Sequence, residues 1–285
     1  MLAALRAPSM RWAVGGWSFF IAENVILSEN RTALREALAG EGGSADVEGD
    51  KNYHLLYGTL STAATASIVY GYVSKVRHAP PLQWAAGAAP PGFRIAVSFG
   101  LQALGLAGLV QALPKLQVPV AMVSTGGASA VAVEPSRQGS TPAAPARAWA
   151  VRCPFDFAAD KNKDPSEVRG ADRVSRHLGL WSFGLTCLGE AMVVSSIPQA
   201  AWLTMPTLVA LIGGAHADSR YARGMGGDPL PAAMADRTSN IPFLAMLSGA
   251  QGRDAFAALF DEAKMLNAAC ATAVAALWAV RRLAR

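Results

Sequence analysis

The apolar residues of this chain lie in long blocks that are separated by three polar segments. A helix that crosses the hydrocarbon core of a bilayer needs about 20 predominantly apolar residues. Six blocks come close to that length, and we interpret them as membrane spans at 11–27, 55–76, 93–113, 178–197, 201–215 and 264–280. The predicted fold class is all-α: a polytopic transmembrane helix bundle of about six spans with polar inter-span loops, forming a single domain over residues 1–285.

Two further segments do not fit a helical span. The apolar stretch 116–133 holds Pro119 and two consecutive glycines, and because both residue types disfavour helix interiors, we predict a loop or a re-entrant segment there. Residues 134–173 open with EPSRQGSTPAAPARA, which predicts a disordered or accessory linker. The polar stretch SENRTALREALAG predicts a short amphipathic helix that ends at Gly40.

Composition supports a membrane protein. Apolar residues make up 52% of the chain, charged residues make up 16%, and the mean hydropathy is +0.26. In soluble proteins about a quarter of the residues are charged. The pI near 9.3 comes without a long basic run, so nothing indicates a nucleic-acid partner. Cys153, Cys187 and Cys270 lie far apart, so the sequence signals neither a zinc motif nor a disulfide framework.

The charge distribution predicts the orientation in the membrane. With six spans both termini lie on one side, and the charged residues of that side are all basic: Arg6, Arg11, Lys75, Arg77, Arg281, Arg282 and Arg285. The opposite side carries both signs. Because Lys and Arg in short loops near span ends favour the cytoplasmic side, we expect both termini in the cytoplasm or stroma.

Three polar residues interrupt the predicted spans: Glu23, Asn24 and Glu190. A charged side chain at the centre of a bilayer costs about 2.5–3.5 kcal/mol on insertion scales, so such a carboxyl group faces the bundle interior, binds a partner or stays protonated. One interpretation is structural, with the carboxyl group hydrogen-bonded to Asn24 or to a Ser or Thr hydroxyl. The other is functional, with the carboxyl group as a proton donor or as a polar contact for a ligand.

The stretch SRHLGLWSFGLTCLGEA carries His177, Cys187 and Glu190. Cys187 and Glu190 lie three residues apart and share one helix face. His177 precedes Cys187 by ten residues, about 15 Å along a straight helix, so the two side chains do not bind one metal ion. His54, His177 and His216 are predicted at one membrane face. They form either a metal or haem site or three interfacial histidines without a common role.

Four sequence blocks, taken in order, resemble the NnrU family and its plant and algal relatives, the 15-cis-zeta-carotene isomerases. The blocks are TALREALAG with YHLLYGTLSTAATASIVYGY, RVSRHLGLWSFGLTCLGEA, ADSRYARGMGGD and RTSNIPFLAMLSGAQ. In the family, the second block has Arg-His-Pro or Arg-Asn-Pro before a helix that carries Cys-x-x-His. The resemblance covers roughly 20–77 and 170–265, whereas 114–170 has no clear counterpart.

The resemblance implies an integral protein of a plastid (chloroplast) membrane or of a bacterial inner membrane. It implies haem b as cofactor and, as activity in carotenoid biosynthesis, cis–trans isomerisation of the central 15-cis double bond of 9,15,9'-tri-cis-zeta-carotene, a hydrophobic polyene substrate dissolved in membrane lipid. The family's haem ligands are a histidine in the first span and the histidine of Cys-x-x-His. Here the first position falls within 27–29, where no histidine stands, and the second is Glu190, so Cys187 alone is retained.

The predicted site follows from these patterns. Glu190 and Cys187 are the candidate catalytic residues, and Cys187 is also the candidate metal ligand. The candidate cofactor-binding residues are Cys187, His177, His54 and His216. An alternative is a catalytically inactive relative that binds a pigment or lipid, or a structural subunit of a plastid membrane complex that meets its partner through 114–170. A third hypothesis is a conduit for protons or small solutes that uses Glu23 and Glu190.

Overall fold

The computed structural model describes residues 7–40, 43–81, 91–116, 120–124, 147–151, 155–156, 167–225 and 230–284. The chain divides into two compact units, one of Met1–Leu113 with Asp164–Arg285 and the other of Pro114–Lys163. The first unit is helical and holds every predicted site residue, and the second contains short strands.

The described residues of the first unit form eleven α-helices, six of them long. In chain order they are α1 (Pro8–Glu29), α2 (Arg31–Ala39), α3 (Asp50–Gly71), α4 (Pro91–Leu109), α5 (Ala171–Val174), α6 (Leu178–Ala191), α7 (Ile197–Ala222), α8 (Ala232–Arg237), α9 (Leu244–Leu247), α10 (Ala255–Glu262) and α11 (Met265–Leu283). Short π-helical turns at Ala45–Gly49 and Tyr72–Val76 flank α3, and a 3-10 turn at Val110–Ala112 extends α4. The six long helices α1, α3, α4, α6, α7 and α11 correspond to the six predicted spans.

The predicted amphipathic helix is confirmed as α2. It ends at Ala39, and Gly40 follows with a φ of 76°, a left-handed value that glycine adopts without a steric penalty. The chain then turns back, and the next long helix packs beside α1.

The long helices lie side by side in the order α3, α1, α7, α6, α4 and α11, each with its main contacts to the next. Contacts between helix ends show that helices consecutive in sequence run in opposite directions. Arg94 Nε, near the start of α4, donates to Met192 O, just after α6, at 2.8 Å. Gln199 Nε2, near the start of α7, donates to Arg77 O, just after α3, at 3.0 Å. The termini of the long helices therefore lie at two opposite ends of the bundle. We call the end with these two contacts the basic end of the row.

Glycines bring three of these helices into close contact. A Cβ atom on Gly105 of α4 would lie 2.6 Å from Ser182 O and from Thr186 N of α6. A Cβ atom on Gly184 of α6 would lie 3.0 Å from Thr207 Cα of α7. Because backbone atoms do not move aside as a flexible side-chain tip does, these helix separations require glycine. Small residues at helix interfaces are typical of helices that associate in lipid.

The chain is mostly helical, and its described residues include two helices that are long and apolar enough to cross a membrane, Pro91–Ala112 and Ile197–Ala222. A third span results if Ala255–Glu262 and Met265–Leu283, which are bent by 89° relative to each other, count as one. Large apolar side chains face outward on α7, where Leu208, Leu211 and Ile212 are 39–41% exposed. A bundle of six spans is not confirmed by length and composition of the described helices.

The boundaries of two predicted spans are wrong. The predicted span at 178–197 ends as a helix at Ala191, and the span predicted at 201–215 extends over Ile197–Ala222. Pro198 explains the displaced start, because proline is favoured in the first turn of a helix, where its missing N–H has no partner to lose. With 14 residues, α6 is about 21 Å long at 1.5 Å per residue, shorter than a bilayer core of about 30 Å.

The second unit contains short strands inside the predicted loop 116–133 and inside the predicted disordered or accessory linker 134–173. Strand β1 (Lys115–Leu116) pairs antiparallel with β4 (Phe155–Asp156), and β2 (Val120–Ser124) pairs antiparallel with β3 (Arg147–Val151). Part of the predicted loop and part of the predicted linker are thus paired β-strands, since Val120–Ser124 is an apolar run that can form a ladder. The remaining residues of 117–166, including Cys153, lie outside the described residues.

Candidate functional site

Glu190 lies at the C-terminal end of α6, where three helices meet at the basic end. Its carboxylate forms an ion pair with Arg282 of α11 and accepts a hydrogen bond from Gln102 Nε2 of α4 at 3.0 Å. Arg282 also donates to Ser98 Oγ at 3.0 Å. The Glu190 side chain is 40% exposed, and it lies one residue before the last residue of α6. Its partners make it a link between α4, α6 and α11.

Cys187 precedes Glu190 by one helical turn and is a free, half-buried thiol. It stands seven residues after Leu180, so the two side chains share a face of α6. Among the described residues, no group of three or more His, Cys, Asp or Glu side chains is arranged to hold a metal ion. The predicted metal site at Cys187 therefore has no gathered set of ligands in the described part of the chain.

His177 belongs to a hydrogen-bonded cluster at the other end of the row. Its Nε2 lies 2.9 Å from Asp218 Oδ1, and Arg176 donates to both oxygens of that carboxylate at 3.0 and 2.6 Å. Beside them, Trp181 Nε1 donates to Asn240 Oδ1 at 2.9 Å. The Asp218 carboxylate thus engages the Nε2 atom of His177 and joins the start of α6 to the end of α7.

Glu23 is buried between α1 and α3, with 4% of its surface exposed. Its Oε1 accepts hydrogen bonds from Asn24 Nδ2 at 2.6 Å and from Ser61 Oγ at 2.9 Å, which confirms the structural interpretation. Its Oε2 is buried without a hydrogen-bond partner among the described residues. Glu23 and Glu190, the two groups of the conduit hypothesis, lie in separate hydrogen-bonded networks.

A cavity of about 280 Å³ lies between α1, α3, α6 and α7, and we call it the apolar cavity. Its hydrocarbon lining comes from Phe20, Ile21, Val25, Leu180 and Val209. The polar side chains of the lining are Asn24, Ser28, Tyr57, His216 and Arg220. An apolar wall with a few convergent polar groups is the usual composition of a small-molecule site.

A second cavity of about 200 Å³ adjoins the first, and we call it the basic cavity. It is lined by Ser28, Arg31, Tyr53, His54, Tyr57 and Arg220. Three of these residues also line the apolar cavity, namely Ser28, Tyr57 and Arg220. The two cavities are therefore neighbours on either side of these three residues, and we treat them as one site.

Two of the predicted cofactor-binding histidines reach this site. His216 Nε2 lies 2.7 Å from Ser28 Oγ, and because that hydroxyl donates to Asn24 O, His216 is the donor of the pair. His54 lies 3.3 Å from Asp50 Oδ2 and its side chain is 60% exposed. His177 and Cys187 line neither cavity.

Sequence reasoning missed Ser28, Tyr57, Arg31 and Arg220 as site residues. Ser28 and His216 are 188 positions apart, so their contact depends on the packing of α1 against α7. A partial signal exists in Tyr57, which stands on the face of α3 that carries Ser61, four residues later.

The predicted haem ligands lie in different places in the helical unit. His177 is hydrogen-bonded to Asp218, His216 is hydrogen-bonded to Ser28, and His54 is exposed beside Asp50. Cys187 lies on another part of α6 and lines neither cavity. Haem b as cofactor stays a prediction of the resemblance.

Comparison of the chain with protein-family models, with curated proteins and with solved structures gave no match. The family resemblance found in the four sequence blocks stays a prediction.

Proposed function

We propose that this chain is an integral membrane protein in which the six long helices cross the bilayer and both termini face the cytoplasm or stroma. The basic end of the row supports this orientation, because it carries Lys75, Arg77, Arg94, Arg281 and Arg282. The short α6 is accommodated if its ends lie below the membrane surface, shielded by α4 and α7. Reporter domains fused to the N- and C-termini should both be protected from protease in sealed vesicles of cytoplasmic-side-in orientation.

We further propose that the protein binds a hydrophobic chain-like molecule, a lipid or a pigment, in the apolar cavity. The observation that carries this proposal is the cavity itself, with five large apolar side chains and a few polar groups in its wall. A volume of about 280 Å³ is at the lower limit of ligand pockets, which span about 300–1,000 Å³, and it suits a slender chain.

Filling the cavity tests the proposal. Gly213 lines the apolar cavity, and a Cβ atom added there meets nothing within 4 Å, so Gly213→Leu places its side chain in open space. The matched control is Gly15→Leu on α1, where a Cβ also meets nothing within 4 Å and which lines neither cavity. Mass spectrometry of organic extracts should find a co-purifying chain-like molecule with wild type and Gly15→Leu, and much less with Gly213→Leu. Equal recovery from all three proteins would contradict the proposal.

The second candidate function is carotene cis–trans isomerisation, as the resemblance implies. One structural observation favours it: three of the four sequence blocks meet in one cluster through Arg176, His177, Asp218 and Asn240. If the chain shares the fold of that family, the blocks that resemble it in sequence are expected to meet in space, as these three do. A plastid or bacterial inner-membrane location belongs to this candidate.

Expression in a bacterium that accumulates tri-cis-zeta-carotene separates the two candidates. Conversion to the 9,9'-di-cis isomer, above the level of a vector control kept in the dark, supports isomerisation. A purified protein that binds a pigment or lipid but leaves the isomer ratio unchanged supports binding alone.

A further inference from the structure

The basic cavity contains two buried donors without acceptors. The Nε atoms of Arg31 and Arg220 are both buried, and neither has a hydrogen-bond partner among the described residues. Each guanidinium is otherwise held in place: Arg31 Nη2 donates to Asp50 Oδ1 at 3.1 Å, and Arg220 Nη2 donates to Met225 O at 2.7 Å. A buried N–H group of a charged side chain is costly to leave unpaired, so two of them at one cavity indicate a missing acceptor.

The charged side chains that line this cavity are basic. No acidic side chain lines it among the described residues, whereas Arg31, Arg220 and His54 do. The Asp50 carboxylate lies outside the lining and is shared among Arg31, Arg35 and His54. An anion in the cavity would therefore meet donors in the lining itself, with Asp50 and Glu29 behind them.

The basic cavity and the apolar cavity share three residues of their lining, namely Ser28, Tyr57 and Arg220. Arg220 and Tyr57 stand at the junction, between the apolar wall on α1 and α7 and the two tyrosine rings on α3. A single molecule can thus place an apolar chain in one cavity and a charged group in the other. A pure hydrocarbon would fill the apolar cavity and leave the arginine donors unpaired.

We propose that the ligand is an anionic amphiphile, with its chain in the apolar cavity and a carboxylate or phosphate monoester in the basic cavity, bound by the Nε–H groups of Arg31 and Arg220. Guanidinium groups form the strong, charge-assisted hydrogen bonds that such oxyanions accept. This inference rests on the proposed binding function and names its ligand class.

Native mass spectrometry of the full chain in neutral detergent tests the inference with three probes: oleate, oleyl alcohol and inorganic phosphate. Oleate and oleyl alcohol have the same chain, so their difference reports the charged group alone. We expect oleate to bind at least about tenfold more tightly than oleyl alcohol, the factor that a charge-assisted hydrogen bond supplies. Inorganic phosphate alone should bind weakly, because it lacks the chain.

Variants of one arginine locate the effect. Arg220→Gln should weaken oleate binding by about tenfold and leave oleyl alcohol binding unchanged. Arg220→Lys keeps the charge without the fixed Nε donor and should give an intermediate affinity. The matched control is Arg223→Gln, one turn further along, since Arg223 pairs with Glu29 and lines neither cavity. Unchanged oleyl alcohol binding also shows that each variant is folded.

The outcomes separate the inference from the function on which it rests. If oleate and oleyl alcohol bind equally and Arg220→Gln changes neither, the anionic class is wrong and the binding function stands. If neither chain binds to wild type, the binding function itself is wrong. Inorganic phosphate that binds as tightly as oleate would also overturn the inference, because chain and charged group would then not act as one ligand.

Discussion

Individual polar residues in this protein find their partners on neighbouring helices. Glu190 pairs with Arg282, 92 positions away, and Glu23 accepts a hydrogen bond from Ser61, 38 positions away. Both glutamates stand out in the sequence, because a charged carboxyl group is costly to place in a membrane and therefore needs a partner there. Which partner each would find could not be predicted, since the choice depends on which helices are adjacent and how they are rotated.

Substitutions of Glu23 test whether its two hydrogen bonds stabilise the fold. Glu23→Gln keeps the carbonyl acceptor for Asn24 and Ser61, so we expect little change in stability. Glu23→Leu removes the acceptor, so Ser61 Oγ loses this partner and Asn24 Nδ2 keeps only its hydrogen bond to Phe20 O, at a cost of about 1–3 kcal/mol. Thermal unfolding in detergent should rank wild type and Glu23→Gln together and Glu23→Leu below them. Equal loss in both variants would show that the carboxyl group has a role that these two hydrogen bonds do not explain.

Glu262, which precedes the sharp bend before α11, offers a test with pH. The bidentate Arg173 guanidinium, at 2.7 and 2.8 Å, together with the Gly170 N–H, holds the pKa of the Glu262 carboxyl below its ordinary value. A lowered pKa stabilises the fold above the ordinary pKa of about 4.3, and this contribution disappears as the pH falls through the folded value.

Glu262→Gln should therefore lower the midpoint of thermal unfolding at pH 7 by roughly 2–4 °C, for a contribution of about 1 kcal/mol. The difference from wild type should shrink progressively as the pH is lowered below about 4.3. A difference that stays constant on acidification would mean that packing, and not the charge of Glu262, is responsible.

The long helices follow from the sequence in approximate place, because blocks of apolar residues are visible without the fold. The exact ends do not, as α6 and α7 show: α7 begins at Ile197, four residues before the predicted start, with Pro198 in its first turn. The strands β2 and β3 were missed because Pro and Gly near 116–133 indicated a loop, and their pairing joins segments on either side of a long intervening stretch.

The packing of α4 against α6 gives a prediction for one helix pair. A Cβ atom on Gly105 meets backbone atoms of α6 at 2.6 Å, so Gly105→Ala should cost about 1–3 kcal/mol through overpacking. Gly100→Ala, in the same helix, meets nothing within 4 Å and should be neutral or stabilise by up to about 1 kcal/mol through helix propensity. Detergent unfolding curves of the two variants should shift in opposite directions or by clearly different amounts. Equal shifts would contradict the close approach of the two helices.

The helical unit is a row of packed helices with different chemistry at the two ends of the helices. The basic end carries the Glu190–Arg282 network, and the other end carries the Arg176–Asp218 cluster and the two adjoining cavities. The sequence predicted the sidedness of the histidines and the basic residues. It did not predict the cavities, because their walls combine helices as far apart in sequence as α1 and α7. Arg31 and Arg220 were missed because both lie near helix ends, where arginines are common.

The central claim is that the apolar cavity holds a hydrophobic chain. The most direct measurement is a fluorescence titration of the detergent-purified protein with cis-parinaric acid, a polyene chain whose emission rises on transfer to an apolar site. We predict saturable binding with one site in wild type and in Gly15→Leu, and loss of that saturable signal in Gly213→Leu. Identical titration curves for wild type and Gly213→Leu would contradict the account.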